Sequence, residues 1–167
     1  MPDLPADFFR QNEWANLALI DACRGLSDEQ LDTSVEGVYG SIRATLQHIV
    51  SSETSYATRL GGDVPKLRWD DPWPGFDRLV ELAKATGMAF VAASQDVTDE
   101  PIQLGSKETY DVEPVVILTQ MFHHGTEHRS QVATILTSLG IDPPDLSGWE
   151  WGLKTDRMRR IQGNGTG

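Results

Sequence analysis

Four stretches of the chain repeat their apolar residues at steps of three and four, the period of a helix buried along one side. The first runs from about Ala6 to Gly25, where Phe9, Glu13, Asn16, Ile20 and Cys23 share a face with Leu17 beside them. The second, from about Ser41 to Leu60, aligns Ile42, Thr45, Ile49, Tyr56 and Leu60, and Gly61-Gly62 is its stop. The third, from about Pro74 to Val97, turns Phe76, Leu79, Val80, Ala83, Phe90 and Val91 inward. The fourth opens at Glu113-Pro114, with proline preset for a first helical position, and ends at Leu139-Gly140. Ile141-Asp142-Pro143-Pro144 cannot continue it.

Ser27-Asp28-Glu29-Gln30 reads as a cap opening one short helical turn. Asp63 to Trp73 is a loop bearing proline and tryptophan, and Asp99 to Val112 suits a loop or a small hairpin. The expected fold is all-α, a four-helix bundle with a longer connection before the last helix. A globin-like or longer helical array is the alternative, and the helix count favours the bundle. One domain is expected over residues 1–161, followed by a Gly-rich tail over 162–167 that is too polar to pack.

The chain has 167 residues and a formal charge of −11, from 25 Asp+Glu against 14 Lys+Arg. A pI near 4.6 argues against nucleic acid and against an anionic membrane surface, both of which select basic faces. No apolar run approaches the roughly 20 residues of a membrane span. The first residues lack a basic leader, and the one cysteine, Cys23, has no intrachain partner, which together predict a reducing, cytoplasmic setting.

Chemistry concentrates in the histidines. Three of the four fall in Met121-Phe122-His123-His124-Gly125-Thr126-Glu127-His128. His124 and His128 lie about 40° apart on a helical wheel, in the same sector as Ile117, Met121, Val132 and Ile135, while His123 falls outside it. Two imidazoles on a buried face need several polar partners, and a shared cation satisfies one nitrogen of each. His48, near the middle of the second helix, is the remaining candidate ligand. The spacing leaves two readings open, a tris-imidazole site for Zn²⁺, Ni²⁺ or Fe²⁺ and a set of hydrogen-bonded core histidines.

Asn12-Glu13-Trp14-Ala15-Asn16 in the first helix, Ser41 to Ile49 followed by Glu53 in the second, His124-Gly125-Thr126-Glu127-His128-Arg129-Ser130-Gln131, and Leu139 to Asp145 occur in that order. With these the chain resembles the DinB-like (DinB/YfiT-like) family of metal-binding four-helix bundles over nearly its whole length. The resemblance implies metal ligands at His48, His124 and His128, a divalent ion with open positions, and a homodimer. It also implies an enzyme acting on a small-molecule substrate, with S-transfer from a low-molecular-weight thiol to an electrophile as the leading activity. Glu127 and Ser130 depart from the family pattern, which often has histidine and usually glycine there.

Two alternatives stand beside it. One is a non-catalytic metal- or small-molecule-binding bundle. The other is a metallohydrolase, since His124 to His128 also fits H-x-x-E-H with Glu127 as general base. Asn16 reads as a buried interhelical hydrogen bond, Glu53 and Arg129 as ion-pair partners, and Ser52 and Tyr56 as cavity-lining residues beyond His48. Trp69, Trp73, Trp149 and Trp151 flank loops, walling a pocket mouth or covering the bundle end, and Arg157, Arg159 and Arg160 read as a small basic cluster near the tail at a solvated helix end.

Overall fold

Capping chemistry sets the helix ends. In the computed structural model, which describes residues 3–95, 97–105 and 107–159, Asp3 caps α1 (Leu4–Cys23) by accepting from the Ala6 amide. Ser27 and Gln30 form a reciprocal capping box on the short α2 (Asp28–Leu31), and Ser41 caps α3 (Ile42–Arg59) by accepting from the Ala44 amide. After α4 (Phe76–Gln95) comes an antiparallel hairpin of β1 (Ile102–Gly105) and β2 (Thr109–Val112), with Ile102 opposite Val112. Then follow α5 (Pro114–Ser138) and α6 (Gly148–Lys154). Helices α3 and α5 stop the same way. Gly61 and Gly140 take φ of +84° and +72°, and Gly62 and Ile141 donate back to the carbonyls of Ala57 and Leu136. That pair of bonds satisfies the last helical carbonyls and needs a left-handed residue.

The four long helices begin and end within two residues of their expected bounds. They form a ring in which α1 and α3 each pack against α4 and α5. The molecule is mostly helical, with the hairpin as the departure from an all-α chain. The connection before α5 is long, as expected, but so is the one between α3 and α4. A further element is α6, a short helix capped by Ser147 that carries Trp149 and Trp151 next to the loop they flank. Its seven residues are too short for periodicity to reveal. Trp151 is half-buried under the Arg157 guanidinium, and Trp73 packs edge-on against Phe76. The tail 162–167 and Arg160 lie outside the described residues. Among the described residues no helix is long and apolar enough to cross a membrane.

The core is split in two along the bundle. Leu19, Ile20, Leu46, Leu79, Leu82, Val132 and Ile135 fill one half; Phe9, Ala57, Phe90, Leu118 and Met121 fill the other. Between them each of the four long helices contributes polar side chains: Asn12 and Asn16 from α1, Glu53 from α3, Thr86 from α4 and Arg129 from α5, all buried. Asn12 and Asn16 both donate to Glu53 Oε1 at 2.8 Å and both accept from Arg129 Nη1 at 2.7 Å. Each asparagine thus uses its amide as a bridge, donor on one side and acceptor on the other. Thr86 Oγ1 lies 3.0 Å from Glu53 Oε2.

Candidate metal centre

The three predicted histidines meet at the level of this polar layer. His124 and His128, one turn apart on α5, are buried, and His48 on α3 is half-buried opposite them. One ring nitrogen from each lies within 4.8 Å of the others. The Nε2 atoms of His48 and His124 are 3.0 Å apart. Two nitrogen lone pairs do not face each other at that distance unprotected; a proton or a cation must sit between them.

Neighbouring groups decide the tautomer of the His128 ring. The Tyr39 backbone N–H donates to Gln131 Oε1 at 3.2 Å, which identifies that amide atom as the oxygen. The same oxygen lies 2.8 Å from His128 Nδ1, so Nδ1 carries the proton and the Nε2 lone pair is left for the cluster. Nδ1 of His48 and of His124 are buried without a protein partner. Burial pushes the His124 imidazole down to about 4, aided by the neighbouring His128, His48 and His123. Burial, then His128, lowers His48 as well. Both rings are therefore neutral at neutral pH and keep a lone pair for a cation.

Aromatic rings frame the cluster. Tyr39 stacks on His48 with centroids 4.0 Å apart and stands edge-on to His128, and Tyr56 stands edge-on to His124 at 5.9 Å. Ser52 and Tyr56 line a cavity of about 290 Å³ that His48 also borders, as their spacing beyond His48 suggests. Tyr39 had no sequence signal, because it belongs to an irregular loop brought over the site by its bond to Gln131. Gln131 had one: it lies a turn beyond His128 on the same helix.

The other candidate residues separate clearly. His123 and Glu127 are exposed on the outer face of α5, with His123 Nδ1 3.9 Å from Glu127 Oε2. Cys23 is buried, and burial pushes its thiol up to about 12, which makes it a core residue and not a nucleophile. Glu53 does not join the histidines; its oxygens are taken by Asn12, Asn16 and Thr86. Burial raises its carboxyl, while the hydrogen bonds from the asparagines and the charge of Arg129 oppose the rise. Arg129, lowered by burial to about 10, remains a cation and bonds the asparagines within its own bundle.

The sequence model of the DinB family matches residues 1–153. The fold is similar to a crystal structure of a DinB-like protein from Bacillus cereus ATCC 10987, with a TM-score of 0.61 and 18% identity, over 81% of this chain and 90% of that one. No match is found among curated proteins.

Proposed function

This chain belongs to the DinB family, and from that premise we propose that His48, His124 and His128 hold a divalent metal ion in an enzyme that transfers a low-molecular-weight thiol to a small electrophile. The convergence of three imidazole nitrogens from two helices within 4.8 Å carries the reading. The acceptor role imposed on Gln131 supports it, because it turns the His128 lone pair inward. Neutral nitrogen donors suit Zn²⁺, Ni²⁺ or Fe²⁺. A divalent cation bound there would lower the pKa of a thiol and supply a thiolate at neutral pH. In the transfer a C–S bond forms, the leaving group departs with its bonding pair, and the thiol proton passes to solvent. Because Cys23 is shut in the core, the sulfur comes from a small molecule.

Exposed Glu127, facing solvent beside His123, gives the hydrolase alternative no general base at the cluster. A non-catalytic site differs from an enzyme in what chelation does: a structural ion takes the fold with it, a catalytic one leaves a folded, inactive protein. The same proposal includes a homodimer and a cytoplasmic setting. Leu4, Phe8, Val115 and Val116, apolar and exposed on α1 and α5, support a second copy. Sedimentation equilibrium at twice 18.5 kDa is the expected result, and a concentration-independent monomer removes the dimer.

Elemental analysis of protein purified without an affinity tag tests the centre. His124→Ala should lose stoichiometric metal while its helical circular dichroism stays. Full metal content in that variant overturns the ligand set.

A further inference from the structure

Beyond His48, α3 presents Ser52, Ser55, Tyr56 and Arg59 at steps of three and four residues, one continuous side about 16 Å long. The loop Leu67-Arg68-Trp69 lies beside that side and forms the other wall of an open cavity of about 290 Å³, near the lower end of small-molecule sites at roughly 300 Å³. The loop is fixed in place by two residues of the same helix. Gln47 Nε2 donates to the carbonyls of Arg68, Trp69 and Asp71 at 3.2, 3.4 and 2.7 Å. Thr54 Oγ1 accepts from the Leu67 amide and lies 3.3 Å from the Leu67 carbonyl. The cavity wall therefore exists before any ligand arrives, which lowers the cost of binding.

Its lining has a definite charge. Two guanidinium groups, Arg59 and Arg68, border it and no carboxylate does. Arg68 is already forked onto Asp70 at 2.9 and 3.0 Å. Arg59 has no ion-pair partner among the described residues, in a chain with 25 acidic side chains. The hydroxyls of Ser52, Ser55 and Tyr56 bond to no other protein group among the described residues, so donors remain for a guest. The inner end is His48.

We propose that this cavity binds a small carboxylate-bearing molecule, its carboxylate on Arg59 and the rest of it directed along α3 toward His48. The proposal deepens the metal-dependent reading and rests on it for what the inner end meets. Arg59 sets specificity, since a planar cation with several N–H donors matches a carboxylate. The net charge of −11 disfavours any anion at long range, so a preference for one has to be local.

Two thiols test it, N-acetylcysteine and N-acetylcysteamine, which differ in the carboxylate. Each is titrated by NMR into zinc-loaded and chelator-stripped protein, with circular dichroism confirming that variants fold. N-acetylcysteine should bind about fivefold tighter in both forms, the scale of one accessible ion pair, with shifts at Ser52, Ser55 and Arg59. Arg59→Ala should bring the two thiols to within about twofold, and Arg59→Lys should restore part of the gap. Equal affinities in the wild type, or a gap that survives Arg59→Ala, overturn the proposal. Failure of the metal reading registers separately as the absence of stoichiometric zinc, and the carboxylate preference of the stripped protein still decides this one.

Discussion

Gly125 sits in the middle of α5, where glycine costs about 1 kcal/mol against alanine. Its reason lies across the bundle. A Cβ at that position would stand 2.8 Å from Arg129 Nη1 and 2.9 Å from Asn12 Oδ1, inside the bond those two groups make. Gly125→Ala should therefore destabilise the protein despite its better helix propensity, by about 1–2 kcal/mol net, read from the urea midpoint. A stabilised variant would mean the guanidinium can shift without loss. Arg129→Met should cost more, about 2–4 kcal/mol, because it strands the Asn12 and Asn16 carbonyl oxygens and removes the cation facing Glu53. At this scale the sequence was partly legible. Asn16 and the two α5 histidines stood out as polar residues in apolar sectors, and each proved to be buried. What Gly125 accommodates was not legible, since Arg129, one turn along, is held over it by Asn12, more than 100 residues away in the chain.

Helix α3 carries most of what the protein does with its polar residues. It supplies His48 to the cluster, Glu53 to the middle layer, and Gln47 and Thr54 to the loop over the cavity. Its bounds were readable because Ser41 and Gly61 are local signals whose chemistry does not depend on the rest of the fold. On the helical wheel of α3, His48 falls at the edge of the apolar face that Ile42, Thr45 and Ile49 define, and half-burial follows. The loop was unreadable for the opposite reason. Residues 63–73 have no period, and the run from Leu67 to Asp71 is tied down by two buried side chains of a neighbouring helix, Gln47 and Thr54. Gln47→Ala should leave the carbonyls of Arg68, Trp69 and Asp71 without their donor. The expected outcome is faster amide hydrogen exchange across residues 67–71 with unchanged exchange in α1 and α5. Unaltered protection in that loop would show that Thr54 alone suffices to hold it.

Across the whole molecule, acid should test whether the neutral imidazoles are coupled to folding. His124 is lowered to about 4 when folded, against an ordinary value near 6.5. Between those values the unfolded chain binds a proton the folded one refuses, so stability is lost as pH falls from 6.5 toward 4. His48, lowered too, acts in the same direction. Glu13 and Glu53 act oppositely, because burial raises both carboxyls and the folded state then takes up protons first. The wild-type curve alone mixes these effects, and the informative quantity is its difference from His124→Gln, both stripped with chelator. The Tm advantage of the wild type over that variant should shrink by several degrees between pH 6.5 and 5. Adding zinc should raise the wild-type Tm at pH 7 and steepen its fall on acidification, since protons and the cation compete for the same lone pairs. A Tm difference that stays constant through this range would mean that His124 is protonated as easily in the folded protein as in the unfolded chain. The cluster would then be an open, hydrated surface and not the enclosed set of lone pairs on which a cation site depends.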